Sequence, residues 1–475
     1  MGEANPLLHF LFVSFPGQGH VNPLLRLAKR VAAKGLLVTF TTTIEFGSRI
    51  RAASQLIFPT ESDSDLIPVG LGFLRFEFFN DGADPKNSIK DLSYLMTNLE
   101  TNGPSALVDL IRRQSAAGRP VSCLVNNPFI PWALDVAAEL SIPSAVLWIQ
   151  SCAVFSIYYH FHHRLANFPT DKTLKTLVQL PGIPPIAPDE LPTFILQSNP
   201  YKSLTEAILA QFHNISKARW IFSNSFDELE HETLTVFAEI SPIIPIGPLV
   251  DVGEELEQEE IKADLWKSAD HCLDWLATQE TNSVVYVSLG SVVMLPANEM
   301  AEFAYGLRNS GRPFLWVVRE DVRGLLPEGF EKAMDVEGKA MIVGWSPQQK
   351  VLASKAVGCF VTHCGWNSSL EAITAGVPIV AYPQWGDQVT NAKFLCDVYG
   401  IGVRLTAPAT RETVENCVAV AVDGEEAARM RNKAETMREM ARKAIAVNGS
   451  SDRSIEIFID DVRKRVAGDG QSSVD

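Results

Sequence analysis

Basic charge, paired cysteines and long apolar runs are all scarce in this chain of 475 residues. Lys and Arg number 41 against 56 Asp and Glu, giving a formal charge of −15 with no long basic run. A phosphate backbone is bound by clustered cations, so nucleic acid is not an expected partner. The seven cysteines, Cys123, Cys152, Cys272, Cys359, Cys364, Cys396 and Cys417, are odd in number and lack CxxC spacing. That speaks against a disulfide framework and a zinc site and for reduced thiols in the core. No uninterrupted apolar run reaches the ~18 residues of a membrane span. The start, MGEANPLLHF, has no basic segment followed by an apolar stretch, so a cytoplasmic protein with no membrane partner is expected. Asn214-Ile-Ser and Asn448-Gly-Ser match the glycosylation sequon but would then stay bare. The loop after the first strand carries no GxGxxG, which removes support for a nicotinamide cofactor, and no acidic DxD pair near the turn at His363 calls for a metal.

What is present describes an α/β protein of two domains. Hydrophobic residues make up 46% and charged residues 20%, a globular profile on a chain long enough for more than one core. Leu8 to Phe15 reads as a strand closed by Pro16-Gly17-Gln18-Gly19-His20, followed by a helix from Asn22 to Lys34 and a strand from Leu36 to Thr42. Strand, loop, helix, strand is a βαβ unit, which closes with a right-handed parallel crossover. Strands at Phe73 to Phe78, Val121 to Val125, Ser144 to Ile149, Trp220 to Ser223 and Ile243 to Ile246 extend it. Ser151 to Tyr201 is irregular, the kind of long loop that shapes a binding site. Residues 1–246 thus form a first domain, and the acidic run across 247–269 a linker. A second doubly wound unit occupies 270–450, beginning at Ser283 to Ser288 and ending in the long charged helix from Glu425. A last helix takes 451–466, and a disordered tail 467–475.

The richest stretch runs from Trp345 to Gln388. Val357 to Thr362 is an apolar run of the kind buried on both faces of a parallel sheet. His363, Cys364 and Gly365 turn the chain into a helix from Trp366 to Ala375, with Asn367 and Ser368 in its first turn and Gly376 as its stop. A strand feeding a helix whose first turn offers backbone N–H groups and hydroxyls is an anion site, here for a phosphate. Glu371, about one turn further in, is placed to accept hydrogen bonds from a ribose diol. Trp345, after the strand Ala340 to Val343, offers a flat face to a base whose edge Gln348 would read. Asp387 and Gln388, beyond the strand Val377 to Tyr382, suit sugar hydroxyls. Leu289-Gly290-Ser291 is a second turn facing the phosphate.

This stretch closely resembles the signature box of the plant UDP-dependent glycosyltransferases. The resemblance implies an α/β fold of two facing Rossmann-like doubly wound domains (GT-B type), inverting transfer without a metal, and UDP-glucose as co-substrate rather than any bound cofactor. It implies that Trp345 and Gln348 meet the uracil, that His363, Asn367 and Ser368 meet the diphosphate, and that Glu371 meets the ribose; Ser291 and Gly365, in the two turns, are candidate donor-binding residues beside them. Trp366, Asp387 and Gln388 would meet the sugar, the final glutamine resembling the glucose-preferring form. It further implies that the terminal helix packs back on the first domain, which binds the acceptor.

His20 closes the loop after the first strand. An imidazole accepts a proton near neutral pH, and the resemblance makes it the base for an acceptor hydroxyl; the bland alternative is a histidine packed against the following helix. The family's supporting aspartate falls here on Asn127, within Asn126-Asn127-Pro128-Phe129-Ile130-Pro131-Trp132. An amide orients but supplies no compensating charge, so His20 is expected to be a weak base. A phenol of pKa ~10 costs roughly 4 kcal/mol to ionise at neutral pH, whereas a carboxylic acid of pKa ~4.3 is already ionised. The same segment resembles the subgroup that makes glucose esters of benzoic and hydroxycinnamic acids, which favours a phenolic carboxylate over a flavonoid or polyphenol taking an O- or C-linked glucose. Phe129, Trp148, Tyr158 and Phe161 are candidate acceptor contacts, each equally at home in a core. His160, His162 and His163 read as packing and surface rather than ligands. A binder of UDP-sugar without chemistry is the competing class.

Overall fold

The computed structural model describes residues 8–53, 66–83, 92–169, 175–200, 202–253, 271–290 and 293–471. The acidic run from Glu254 onward and residues 472–475 lie outside them. The first sheet comprises β1 (His9–Val13), β2 (Leu37–Thr41), β3 (Ile67–Val69), β4 (Gly72–Phe76), β5 (Val121–Asn126), β6 (Ser144–Trp148), β7 (Trp220–Ser223) and β8 (Ile243–Pro245). Their spatial order is β3-β4-β2-β1-β5-β6-β7-β8, parallel except where β3 pairs antiparallel with β4. The second sheet comprises β9 (Val284–Ser288), β10 (Phe314–Val317), β11 (Ala340–Val343), β12 (Val357–Thr362), β13 (Ile379–Ala381) and β14 (Gly402–Arg404). It runs β11-β10-β9-β12-β13-β14.

The second order is the doubly wound 3-2-1-4-5-6 pattern, and the first contains it with an extra strand on each edge. In such sheets the chain direction of winding reverses between two neighbouring strands, and the crevice beyond their carboxyl ends receives ligands. Here those pairs are β1 with β5 and β9 with β12. The register sets Val13 beside Asn126 and Thr362 beside Ser288. The residues that follow, including His20, Asn127, Gly290 and His363, therefore gather at the two crevices.

Strands buried on both faces explain the apolar runs: every residue of β1, β2 and β12 is buried. The long helix Ser450–Gln471 lies against the first sheet, with Phe458 4.8 Å from the Phe222 ring, 5.0 Å from Trp220 and 5.5 Å from Phe10. It continues past Ala467, where the sequence suggested an ending; Gly468 and Gly470 weaken a helix by about 1 kcal/mol each without stopping it. The stretch expected to be irregular begins with a helix, Cys152–His162. Among the described residues no helix is long and apolar enough to cross a membrane.

Candidate active site

The helix after β1 spans Gln18–Ala33, four residues earlier than its pattern suggested, so His20 stands in its first turn. Pro23 lies inside this helix and has no N–H, so the Gly19 carbonyl, four residues back, has no helical donor. Asn367 supplies one instead: its Nδ2 donates to Gly19 O at 2.8 Å. The residue before His20 is thereby tied to the first turn of the helix Trp366–Ala375 in the other domain, and the two crevices face each other.

The half-buried His20 ring lies 4.8 Å from Phe15 and 5.0 Å from Phe129 between ring centroids, between two aromatic walls. Burial pushes its pKa down to about 3, the nearby Pro128 carbonyl and Asn127 amide offsetting only part of the shift. Its Nδ1 is buried without a hydrogen-bond partner. Asn127 is fully buried and grips the loop that carries the ring. Its Oδ1 accepts from Phe15 N at 3.0 Å, and its Nδ2 donates to His20 O at 3.0 Å and Ser14 Oγ at 3.1 Å. Phe129 holds a left-handed backbone, φ 75°, which swings its ring toward His20.

In the second domain Cys364 (φ 64°) and Gly365 turn the chain from β12 into the helix Trp366–Ala375, which ends at Gly376 in the left-handed region. The His363 ring is enclosed by glycines: a Cβ at Gly290 would come within 2.7 Å of it and one at Gly365 within 2.5 Å. Burial lowers its pKa to about 4, so at neutral pH it offers an N–H and not a positive charge. Ser291 lies outside the described residues. Trp345 is half-buried just beyond β11. Gln348, expected at a base edge, instead donates from Nε2 to Glu371 Oε2 at 2.7 Å and Ser368 Oγ at 3.0 Å. Glu371 also accepts from Gln349 at 2.9 Å and lies 3.8 Å from Arg26 of the first domain.

The Trp366 indole is buried and donates to Asn224 O of the first domain at 2.8 Å, so its backbone N–H in the first turn of the helix is the group left to meet a ligand there. Asp387 sits in a buried setting that lifts its carboxyl to about 6, with Asn391 Nδ2 at 2.8 Å pulling the other way. Gln388 accepts at Oε1 from Gln384 N at 2.9 Å and Trp385 N at 3.2 Å, which fixes the orientation of its amide. Of the acceptor candidates, Trp148 and Tyr158 are 1% and 0% exposed and belong to the core, where the Trp148 ring meets Phe155 edge-on at 5.1 Å. Phe161 packs on Phe168, about three turns along its helix from the cleft. Phe129 alone of the four stands at His20, joined by Phe15, which sequence reasoning missed because an aromatic in an apolar strand end reads as core. Asn224 and Arg26 were missed too, since only the folded chain brings them to the donor side. Among the described residues no group of three or more His, Cys, Asp or Glu side chains is arranged to hold a metal ion. His160 makes a local bond through Nδ1 to Ser156 O at 2.7 Å.

Comparison with known proteins agrees with this fold. The family described as UDP-glucoronosyl and UDP-glucosyl transferase matches residues 267–432, and the glycosyltransferase N-terminal domain matches residues 8–249. The chain is 47% identical to a gallate 1-beta-glucosyltransferase of Punica granatum over 98% of this chain and 92% of that one. It is 46% identical to a gallate 1-beta-glucosyltransferase of Quercus robur, again over 98% and 92%. The crystal structure of Os79 from O. sativa in complex with UDP superposes with a TM-score of 0.83 at 32% identity, over 95% of this chain and all of that one (100%).

Proposed function

From the fact that this chain belongs to the plant UDP-dependent glycosyltransferases, we propose that it transfers glucose from UDP-glucose to the carboxylate of a phenolic acid, forming a 1-O-β-glucose ester. The enzyme class is that of the family, a hexosyltransferase using a UDP-sugar. The observation that carries the choice of acceptor is the state of His20, walled by Phe15 and Phe129 and given an amide, not a carboxylate, as neighbour. Passing a proton from a phenol of pKa ~10 to a base of pKa about 3 is uphill by on the order of 10 kcal/mol. A benzoic or hydroxycinnamic acid arrives already ionised and asks of the site only that its oxygen be aimed. The relatives named for gallate support the same reading.

In this mechanism an acceptor carboxylate oxygen attacks the anomeric carbon from the His20 side. The bond from that carbon to the diphosphate oxygen breaks, and its electron pair leaves on UDP with inversion. The first-turn N–H groups of Trp366, Asn367 and Ser368, and the His363 N–H, meet the charge that develops there. Glu371 takes the ribose, Trp345 the uracil, and Asp387 with the Gln388 NH2 the glucose hydroxyls. Gln348 orients Glu371 as well as lying beside the base.

Mass spectrometry of products from UDP-glucose and a mixed panel of phenolic acids and flavonoids, repeated after mild alkali and after acid, tests the proposal. An alkali-labile product is the expected ester. A product resisting both treatments is a C-glucoside and overturns the carboxylate assignment.

A further inference from the structure

Residues 187–196 of the first domain cross the cleft and fasten on the loop and helix that follow β13. Thr193 N donates to Gly386 O at 3.0 Å, and Gly386 N donates back to Thr193 Oγ1 at 2.7 Å. Buried Phe194 meets Trp385 with ring centroids 5.5 Å apart, and a Cβ on Gly386 would stand 3.4 Å from its ring. Upstream, Glu190 O accepts from Thr390 Oγ1 at 2.7 Å, while its carboxylate takes Lys393 Nζ at 2.9 Å and Ala187 N at 2.9 Å.

These contacts bracket Asp387 and Gln388 on both sides. The chain from Pro383 to Asp387 has no regular structure, and Gly386 is in the left-handed region at φ 66°, so the loop has no ladder of its own to hold it. Gln388 Oε1 secures the N–H groups of Gln384 and Trp385 from within. The two backbone polar groups of Gly386, the residue just before Asp387, pair across the cleft with Thr193.

We infer that residues 190–194 form a strap through which the first domain sets the aim of Asp387 and Gln388, making Thr193 a positioning residue for the choice of UDP-sugar. The inference rests on the proposed reading of Asp387 and Gln388 as the groups that meet the sugar. Hexoses epimeric at one carbon differ only in the direction of one hydroxyl, and a hydrogen bond weakens steeply once its angle is lost. A carboxylate on an unsupported loop follows either epimer; one whose preceding peptide is fixed does not. Donor choice is then shared between the domains.

Thr193→Val keeps the side-chain shape and removes the acceptor for Gly386 N. The expected result is a rise of about fivefold in KM for UDP-glucose and a similar fall in the kcat/KM preference for UDP-glucose over UDP-galactose and UDP-xylose. Inhibition by UDP, which has no sugar, and KM for the acceptor stay unchanged, and Thr193→Ser restores the preference. An unchanged preference, or an equal loss of UDP affinity, overturns the inference. Asp387→Ala is measured alongside: if it collapses the preference while Thr193→Val does not, the strap fails alone, and if neither moves it, the sugar reading fails with it. Should Thr193→Val not fold, Glu190→Gln, which weakens the tie to Lys393, is expected to give the same split between UDP-sugar and UDP, and equal effects on both overturn it.

Discussion

Just past the buried end of β5, the hydrogen bonds of Asn127 show what its amide does. It joins the Phe15 N–H, the Ser14 hydroxyl and the His20 carbonyl, so it fixes the loop that carries His20. Asn127→Asp keeps the acceptor for Phe15 N and sets a carboxylate oxygen against the His20 carbonyl. The expected cost is about 1–3 kcal/mol in unfolding free energy. The negative charge would also raise the His20 pKa from about 3, since an opposite charge favours the protonated ring. Turnover of phenols relative to carboxylates should therefore increase, with the acid limb of the phenol pH profile moving to higher pH; an unaltered ratio would disconnect Asn127 from acceptor choice. In the other crevice, Gly290→Ala places a methyl 2.7 Å from the His363 ring and puts a side chain on a φ of 80°. Loss of the ring's position should weaken inhibition by UDP at least tenfold, measured by competition against UDP-glucose.

Among the elements, the helix Gln18–Ala33 joins fold to site most directly, because Pro23 gives up one helical hydrogen bond and Asn367 takes the Gly19 carbonyl so released. Pro23→Ala supplies the missing N–H. A straighter, fully bonded helix should match or exceed the native melting temperature, while kcat/KM for UDP-glucose falls several-fold as Asn367 loses its partner. A parallel loss of stability and activity would show that the proline acts only on folding. The sequence pattern placed β12 and the helix Trp366–Ala375 to the residue, since an apolar strand, a polar first turn and a terminal glycine each leave a local mark. It passed over the helix Asp227–Ile240, where Glu230 leaves the helical region (φ −129°) so that its carboxylate can accept Cys152 N and Ala153 N at 3.0 Å each. The candidate donor residues were legible because they share one continuous stretch. Asn224, 142 residues before Trp366, and Thr193, 193 before Gly386, act through contacts made only when the domains meet, and neither has a local pattern to betray it.

Over the whole molecule, three histidines that desolvation holds neutral link stability to pH. His9, fully buried between Arg119 O at 2.8 Å and Thr39 Oγ1 at 2.7 Å, is pushed down to about 4, as is His363, and His20 to about 3. In the unfolded chain each returns to about 6.5. Between these values the unfolded chain binds protons that the folded one refuses, so stability rises with pH and is lost as pH falls from about 6.5 toward 4. At pH 5 each ring contributes a loss of about 2 kcal/mol, about 6 kcal/mol together. Asp387 works in the opposite sense, because its carboxyl, raised to about 6, takes up a proton in the folded state first and returns about 1–2 kcal/mol at the same pH. The histidines outweigh it. Calorimetric melting temperatures should accordingly drop between pH 7 and pH 5, and His9→Gln, which keeps a donor and an acceptor for Arg119 O and Thr39 without a titrating ring, should remove about a third of that drop. A melting temperature level across this interval would mean that the rings titrate alike in both states, and the pressure to keep His20 and His363 neutral, on which their proposed roles depend, would be absent.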